Sequence, residues 1–208
     1  MAIQDKSVAI AILARAPVAG LAKTRLIPAI GAHAAAVLQE RMTEQAVATA
    51  IAAETGPVTL WCAPDPSHAS FQALGADRRV TLHHQPDGDL GARMLAAFEA
   101  HDGPALIVGS DCPALTAEHL RAAAHALRDG ADVVLIPAED GGYVLIGARE
   151  PRPELFEGML WGSATVLADT RERIAALALN CTELPPLWDV DREDDLARLE
   201  RDLPELAL

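Results

Sequence analysis

The 208-residue sequence contains no long hydrophobic segment and no regular cysteine pattern. No apolar run approaches the roughly 20 residues that a transmembrane helix requires, so a membrane partner is not expected. The three cysteines, Cys62, Cys112 and Cys181, are widely separated and lack the CxxC spacing of zinc sites. An odd, dispersed set also argues against a disulfide framework and favours a reducing, cytoplasmic location.

The apolar run near the amino terminus, "VAIAILA", superficially resembles the hydrophobic part of a secretory signal. It is short and closely follows Asp5 and Lys6. Arg15 and Pro17 stand after it, where a signal peptide would have a small-residue cleavage site. We therefore expect this run to form the first strand of the core.

Basic charge is scarce, since 30 acidic residues oppose 17 basic ones and the formal net charge is -13. Such a surface repels polyanions, so nucleic acid is not an expected partner. An acidic protein that binds a nucleotide must supply local positive charge, from a few Lys and Arg residues or from a metal ion. The length suits one well-filled core, and we expect residues 1–208 to form a single domain.

Short β-rich runs alternate with Ala-rich helical patterns along most of the chain. The predicted strands are 7–13, 57–62, 79–84, 105–109, 132–137 and 143–147, with a weak one near 181–184. The predicted helices are 32–53, 66–75, 90–101, 117–129, 163–178 and 192–202. This alternation predicts an α/β fold, a three-layer α/β/α sandwich around a mixed, mostly parallel sheet. In "AEDGGYVLIGA" a Gly-Gly turn joins two strands without a helix, which predicts one antiparallel strand.

Four loops that follow predicted strands carry the unusual sequence. They read "ARAPVAGLAKTRL", "QPDGDLGARM", "GSDCPAL" and "PAEDGGY". In open α/β sheets, ligands bind beyond the carboxyl ends of the strands, where loops and helix amino termini converge. We therefore expect the functional residues to come from these loops.

The first loop combines a glycine with two basic residues. It is not a phosphate-binding Walker A element, because Ala22 and Pro17 stand where that pattern requires glycine. Gly20 allows close backbone approach, and Lys23 and Arg25 supply charge for phosphate groups. The alternative is an ordinary strand-to-helix turn with solvated basic residues.

Asp111 ends a buried strand and is a candidate metal ligand. A helix cap is the structural alternative, but Thr116 is better placed to cap the next helix. Mg²⁺ or Mn²⁺ commonly uses one or two carboxylates together with substrate phosphates. The second carboxylate is sought in "LWDVDREDDL", where Asp189 and Asp191 alternate on an extended segment. Asp191 could instead cap the last helix, with Asp194 forming a capping-box-like pair.

The remaining two loops offer further candidates. "EDGGY" predicts a tight turn with positive φ, and Asp140 would project from it into the same cleft as Asp111. There it could bind an acceptor hydroxyl or act as a base. "GDLGARM" offers amides at a helix start, with Arg93 one turn into the helix. Nucleotide contacts and simple helix entry are both compatible with this second pattern.

Six motifs in order resemble a known family. They are "ARAPVAGLAKTRL", "QPDGDLGARM", "GSDCPAL", "IPAEDGGYVLIG", "LFEGMLWGSATVLADT" and "LWDVDREDDLARL", which together extend from about Val8 to about Leu199. The sequence resembles the glycosyltransferase-like family also catalogued as DUF2064. That family is similar to nucleotide-diphospho-sugar transferases of the GT-A type, and more distantly to 2-phospholactate and molybdenum-cofactor guanylyltransferases. The resemblance implies a GT-A fold.

The resemblance also implies roles for particular positions. The basic loop would hold nucleotide phosphates, and Asp111 would bind the divalent metal, with Asp191 matching the second metal position better than Asp189. The residues implied for nucleotide binding are Ala14, Pro17, Gly20, Lys23, Arg25, Gly88, Gly91 and Arg93. Those expected on the acceptor side are Gly141, Gly142, Tyr143 and Trp161, with Asp140 and Asp111 as catalytic candidates. Two departures stand out: "DVDREDDL" replaces the usual "DVDTPEDL", and Ser110-Asp111-Cys112 replaces a literal DxD.

The sequence thus predicts a metal-dependent transferase that uses a nucleotide-activated donor and Mg²⁺ or Mn²⁺. Glycosyl transfer from a nucleotide-diphospho-sugar to a small-molecule acceptor is the leading hypothesis. Nucleotidyl transfer, which releases pyrophosphate, shares the same electrostatics and is the first alternative. A non-catalytic nucleotide-binding protein that retained the fold is the second.

Overall fold

The computed structural model describes residues 7–208. Asp5 and Lys6, which precede the first apolar run, lie outside the described residues. The strands are β1 Ala9–Arg15, β2 Val58–Ala63, β3 Val80–His84, β4 Ala105–Gly109, β5 Val133–Pro137, β6 Tyr143–Ala148 and β7 Cys181–Glu183. The helices are α1 Ile27–Ala53, α2 Ala69–Gly75, α3 Leu90–Glu99, α4 Ala117–Arg128, α5 Val166–Ala176 and α6 Glu193–Asp202. Short 3-10 turns lie at Thr24–Leu26 and Pro153–Leu155.

The seven strands form one sheet in the order β3-β2-β1-β4-β6-β5-β7. Strand β6 runs antiparallel to both of its neighbours, and the other pairs are parallel. The prediction of one antiparallel strand in a mostly parallel sheet is therefore confirmed. Strand β1 lies between β2 and β4 near the centre, so the first apolar run is a core strand, as expected.

Helices cover both faces of the sheet. Along β1, Ile10 and Ile12 point into a cluster with α1, α2 and α4, whereas Ala9 and Ala11 point into a cluster with α3 and α5. This alternation follows from the two-residue period of a strand, and both faces are apolar because both are covered. The three-layer α/β/α sandwich is confirmed.

The helix bounds differ from the predicted ones mainly at their ends. Helix α1 begins five residues before position 32, but Gly31 has non-helical angles (φ 81, ψ 160), so the uninterrupted part begins where expected. Helix α2 starts at Ala69 and not at 66, because the His68 side chain accepts from the Ser70 amide and caps it. Helix α5 is shorter than 163–178, since Gly162 (φ 79) and the following turn precede it. Within residues 7–208, no helix has the length and apolar character needed to cross a membrane.

The segment before α6 brings the carboxyl-terminal aspartates to the strand ends. Trp188 and Val190 are buried against α1 and α6 in a third apolar cluster. The Val190 amide donates to the Asp111 carbonyl (2.9 Å), and the Leu187 amide donates to the Pro137 carbonyl (3.0 Å). Residues 187–190 therefore lie beside the carboxyl ends of β4 and β5.

The predicted capping of α4 is confirmed, and that of α6 is corrected. The Thr116 hydroxyl accepts from the His119 amide at the start of α4. At the start of α6, Asp195 accepts from the amides of Asp191 (2.9 Å) and Arg192 (2.6 Å). The alternative in which Asp191 caps this helix with Asp194 is wrong, because Asp195 occupies the N3 position that reaches back to these amides.

Candidate active site

A polar cleft of about 410 Å³ opens at the carboxyl ends of β1 and β4. It is lined by Arg15, Leu21, Lys23, Thr24, Arg25, Gln39, Ser110, Asp111 and Asp191. The first loop, the end of β4 and the carboxyl-terminal motif therefore meet in one place, as the positions of the loops predicted. Basic and acidic side chains face each other across this cleft.

The conformation of the first loop determines which basic residues reach the cleft. Ala22 and Leu26 are fully buried and anchor the loop to the core. Gly20 has φ 86, which only glycine adopts readily, and Lys23 has a left-handed conformation (φ 46, ψ 45) before the 3-10 turn. With Ala22 and Leu26 buried on either side, the three residues between them, Lys23, Thr24 and Arg25, line the cleft.

Lys23 is held at the base of the cleft by two contacts. Its ammonium lies 2.8 Å from Asp111 Oδ1 and donates a hydrogen bond to the Val190 carbonyl (2.6 Å). The Lys23 side chain is 5% exposed, whereas the Asp111 side chain is 53% exposed. The amine is therefore buried behind a carboxylate that remains accessible from solvent.

Two arginines lie at the cleft in more open positions. Arg25 forms an ion pair with Asp191, and its side chain is 66% exposed. Arg15, at the end of β1, is exposed and lines the cleft, and no partner is found for its guanidinium within the described residues. Sequence reasoning missed Arg15 as a site residue, although its place at the end of the first strand could have identified it. These two guanidinium groups are accessible to an anionic ligand.

Buried polar residues of α1 support the end of β4. Gln39, which is 4% exposed, donates from Nε2 to Ser110 Oγ (2.9 Å) and to Thr43 Oγ1 (3.2 Å). Ser110 is itself buried and precedes Asp111. Sequence reasoning also missed Gln39, whose signal is a polar pair spaced four residues apart on the buried face of a helix. The network fixes the strand end from which Asp111 projects.

Asp189 shares its surroundings with two other carboxylates. The pKa of Asp189 is raised to about 6, chiefly by burial and then by the negative charges of Asp140 and Asp111, with Lys23 opposing them. Asp191, two residues on, faces Arg25 instead. Side chains alternate along an extended segment, so both aspartates face away from the buried side chains of Trp188 and Val190, yet they meet different partners. Asp189 is close enough to Asp111 to feel its charge, whereas Asp191 lines the same cleft as Asp111, so the choice between them as second metal ligand stays a prediction.

The chemistry of these carboxylates suits a hard divalent cation. Mg²⁺ and Mn²⁺ prefer oxygen ligands and accept one or two carboxylates, with substrate phosphates and water completing the shell. Among residues 7–208, however, no group of three or more His, Cys, Asp or Glu side chains is already spaced to hold a metal. The residues fit such an ion in type, and donor phosphate would be needed to complete its coordination.

The Gly-Gly turn holds Asp140 at the edge of this carboxylate group. Asp140 Oδ1 accepts a hydrogen bond from the Gly142 amide (3.0 Å), and its side chain is exposed. Gly141 has φ 97, and a Cβ there would lie 2.4 Å from the Ala164 carbonyl oxygen. The predicted positive φ is therefore confirmed, and a second constraint is the close approach of the Ala164 backbone.

Arg198 links α6 to this turn through an ion pair. Its guanidinium donates to both carboxylate oxygens of Glu139 (2.7 and 3.1 Å) and lies 4.6 Å from the centre of the Trp188 ring. Glu139 precedes Asp140, and Trp188 precedes Asp189. A single side chain thus joins the two chain segments that carry neighbouring carboxylates.

The loop between β3 and α3 lies apart from the cleft lining. Gly88 has φ 117, and Asp89 caps α3 by accepting from the Ala92 amide (2.9 Å). Gly91 faces Trp161, and a Cβ at Gly91 would lie 2.8 Å from Trp161 Cζ2. Gly91 therefore has a packing role, and the structure brings neither glycine into the cleft. Trp161 is packed on the start of α3, with its indole nitrogen buried and unpaired among the described residues.

Arg93 and Ala14 meet through a buried glutamine. Gln85 donates from Nε2 to the carbonyls of Ala14 (3.0 Å) and Trp61 (2.8 Å). Its carbonyl oxygen accepts from an Arg93 guanidinium nitrogen (3.4 Å). Ala14 is thus buried with its carbonyl occupied, Pro17 is half-buried outside the cleft lining, and Arg93 lies above the ends of β1 and β2.

Tyr143 points away from the cleft. Its hydroxyl lies 3.9 Å from Met94 Sδ, within the apolar cluster that contains α3 and α5, and burial raises its pKa. The residue therefore contributes packing under the turn. Its predicted acceptor contact, like that of Trp161, is not supported by this placement.

The family model described as "Uncharacterized protein conserved in bacteria (DUF2064)" matches residues 46–163, more than half of the chain. The matched segment contains Asp111, Asp140 and Trp161, and it ends before the carboxyl-terminal aspartates. The basic loop precedes it. No curated protein matches the sequence.

Solved structures share the fold. A crystal structure from Desulfovibrio desulfuricans G20, provisionally assigned as a nucleotide-diphospho-sugar transferase, has a TM-score of 0.84 and 28% identity, covering 95% of this chain and 89% of that chain. The 4-diphosphocytidyl-2C-methyl-D-erythritol synthase from Anaerococcus prevotii DSM 20548 has a TM-score of 0.65 and 13% identity, covering 98% and 99%. The glucosyl-3-phosphoglycerate synthase from Mycobacterium tuberculosis, in complex with Mn²⁺, UDP and glucosyl-3-phosphoglycerate, has a TM-score of 0.57 and 12% identity, covering 97% and 78%. The last two show likeness of fold alone.

Proposed function

Because the chain belongs to the DUF2064 family, we propose that it is a metal-dependent transferase that uses a nucleotide-activated donor. The leading reaction is glycosyl transfer from a nucleotide-diphospho-sugar to a small-molecule acceptor. The observation that carries the proposal is the cleft in which three basic side chains meet Asp111 at the carboxyl edge of the sheet. The likeness to the Desulfovibrio desulfuricans G20 protein, provisionally assigned as a nucleotide-diphospho-sugar transferase, supports the same class of donor.

The donor diphosphate would bind to the basic side of the cleft. Arg15 and Arg25 are exposed there, and guanidinium groups donate paired hydrogen bonds to phosphate oxygens. The chain carries a formal net charge of -13, so this local positive group is what makes the cleft attractive to a polyanion. Arg25 would have to share its donors between the ligand and Asp191.

The metal would bind on the acidic side, held by Asp111 together with Asp191 or Asp189. When bound, Mg²⁺ or Mn²⁺ supplies positive charge that stabilises the leaving diphosphate. The protein contributes the fixed strand end, because Gln39 and Ser110 hold the backbone from which Asp111 projects. It also contributes the segment around Val190, which is hydrogen-bonded to Asp111 through its backbone.

The acceptor would enter from the side of the Gly-Gly turn. Asp140 is exposed there and lies near Asp189, whose pKa it helps to raise. A carboxylate in this place can accept the proton of an attacking hydroxyl group. Asp140 is therefore proposed as the residue that orients and deprotonates the acceptor.

Nucleotidyl transfer is the second candidate, and one feature favours it. The strand end reads Gly109-Ser110-Asp111, so the DxD motif of many metal-dependent glycosyltransferases is absent in its literal form. With a single aspartate at this point, the same charges could bind a nucleoside triphosphate and stabilise departing pyrophosphate. In that reaction the acceptor attacks the α-phosphorus and not the sugar carbon.

A donor panel with and without Mn²⁺ tests the proposal. Purified protein is incubated with nucleotide-diphospho-sugars or with nucleoside triphosphates, and with sugars, phosphorylated acids and alcohols as acceptors. Release of nucleoside diphosphate supports glycosyl transfer, and release of pyrophosphate supports nucleotidyl transfer. In calorimetry, Asp111→Asn is expected to abolish the metal-dependent part of nucleotide binding with the fold intact. Metal-independent binding without turnover over the whole panel would instead support a non-catalytic nucleotide-binding protein.

A further inference from the structure

Lysine is rare in this chain, and one lysine lies inside the candidate site. Of the 17 basic residues only two, Lys6 and Lys23, are lysines. Lys23 is the buried cation of the cleft, with a side chain that is 5% exposed, whereas Arg25 on its rim is 66% exposed. An ammonium is a compact point charge, unlike the planar guanidinium fork. Lys23 therefore resembles a bound cation more closely than an arginine would.

The contacts of Lys23 place that charge on the carboxylate proposed for the metal. Its Nζ lies 2.8 Å from Asp111 Oδ1 and 2.6 Å from the Val190 carbonyl oxygen, so two oxygen atoms coordinate it. Asp111 and Asp189 lie on the two chain segments that it joins. The pKa of Asp189 is raised by burial and by Asp140 and Asp111, while Lys23 lowers it. One buried cation thus contacts Asp111 and also stabilises the negative charge of Asp189.

A divalent metal at Asp111 would compete with this ammonium. The two cations would need the same carboxylate and would repel each other strongly at contact distance in a partly buried site. Lys23 lines the cleft beside Arg15 and Arg25, where a donor diphosphate would bring negative charge. A bound diphosphate would therefore offer the ammonium an alternative partner.

We propose that Lys23 is the resident cation of Asp111 and that a divalent metal binds there by displacing its ammonium from Oδ1 toward the diphosphate subsite. This inference rests on the proposed metal site. Lys23 is then a positioning residue that couples the two ligands, because the metal releases the amine that the diphosphate needs. By linkage, each ligand increases the affinity for the other, and the coupling depends on Lys23.

Metal affinity measured without nucleotide tests the competition directly. Free Mn²⁺ is followed by electron paramagnetic resonance while it is titrated into wild-type protein and Lys23→Met. The variant is expected to bind Mn²⁺ about tenfold more tightly, within the usual range of coupling between sites. Arg79→Met is the matched control, because it also removes one positive charge. Arg79 pairs with Asp77 just before β3, at the amino ends of the strands and therefore away from the cleft. A Lys23→Met affinity no tighter than that of the control overturns the proposal.

Magnetic resonance of the unaltered protein provides a test that does not depend on the variant folding. Protein labelled with ¹³C and ¹⁵N in lysine alone has two lysine signals, and loss of one in Lys23→Arg assigns it. Titration with Mg²⁺ is expected to shift the Lys23 Cε and Nζ signals with the midpoint of metal binding. A Lys23 signal that stays unchanged while Mg²⁺ saturates the protein contradicts the displacement.

Asp111→Asn separates this inference from the proposed function. If this variant loses Mn²⁺ binding but the Lys23 signal of the wild type does not respond to the metal, the metal site is supported and the role of Lys23 is rejected. Equal Mn²⁺ binding by wild type and Asp111→Asn would reject both. If Lys23→Met binds Mn²⁺ while neither the wild type nor the double variant with Asp111→Asn does, the metal site and the role of Lys23 are both supported.

Discussion

Replacing Asp189 with Asn is expected to stabilise the metal-free protein at neutral and alkaline pH. Asp189 is half-buried beside Asp140 and Asp111, and burial is the largest cause of its raised pKa, about 6 against a usual 3.8. Ionisation of this side chain is therefore less favourable in the folded state than in the unfolded state. An amide has similar size and no charge, so the variant relieves both the desolvation and the repulsion.

The size of the effect follows from the pKa. One pKa unit corresponds to about 1.4 kcal/mol, so a rise of about two units has an upper limit of about 3 kcal/mol. Because Asp189 is partly exposed and solvent screens it, about 1.5 kcal/mol is the expected gain. For a chain of this length, that corresponds to a rise of about 3–6 °C in Tm.

The sign of the pH dependence is also determined. Since the folded state holds the proton more tightly than the unfolded state, this group destabilises the fold progressively as pH rises from about 4 through about 6. The advantage of Asp189→Asn should therefore be full near pH 8 and should vanish below about pH 4. Adding Mg²⁺ should raise the Tm of the wild type more than that of the variant.

Thermal unfolding in EDTA across this pH range is the measurement. Asp102→Asn is the control, because Asp102 is exposed before β4 and its removal reports the general benefit of lowering a net charge of -13. If Asp189→Asn gains no more than this control, or gains equally at every pH, the assignment of Asp189 to a repulsive carboxylate group is refuted.

Three further outcomes are expected. Gly141→Ala should destabilise the fold by about 2–4 kcal/mol, because alanine is strained at φ 97 and its Cβ would meet the Ala164 carbonyl. Gly142→Ala is the control, and it should cost far less because its nearest contact is at 3.4 Å. Chemical denaturation measures the free energy of unfolding of both variants. Arg25→Met should weaken nucleoside diphosphate binding about tenfold or more and monophosphate binding less, and equal small losses in calorimetry would move the phosphate site elsewhere. Asp140→Asn should lower turnover at saturating donor far more than donor affinity, and the opposite pattern would assign Asp140 to the metal or nucleotide.

The fold could be predicted largely because its signals are local. The apolar runs of β4 and β5 are continuous since both faces of the sheet are covered, and the Gly-Gly turn before β6 leaves no room for a crossover helix. Helix ends were less predictable. The late start of α2 and the short α5 depend on individual caps and turns, whose hydrogen bonds compete closely with another turn of helix.

The site could be predicted only in part, because neighbours in space are far apart in the chain. That the strand-end loops meet follows from parallel strands, and it brought Asp111 and the basic loop together as expected. Gly91 and Tyr143 were assigned to ligands from their motifs, yet the structure uses them to pack against Trp161 and Met94. A motif records that a residue type is required and does not distinguish a contact with a ligand from a close contact within the fold.

The sequence alone determined the class of fold, the edge of the sheet where chemistry would occur, and the types of side chain present there. The tertiary structure decided which of those side chains pair with each other and which remain exposed. It buried Lys23 on Asp111, left Arg15 and Arg25 exposed, placed Asp189 near Asp140 and Asp111, and paired Asp191 with Arg25. These choices depend on a segment about 80 residues after β4 that packs on α1 through apolar side chains. No local pattern specifies that contact, because burial and charge pairing are properties of the assembled chain.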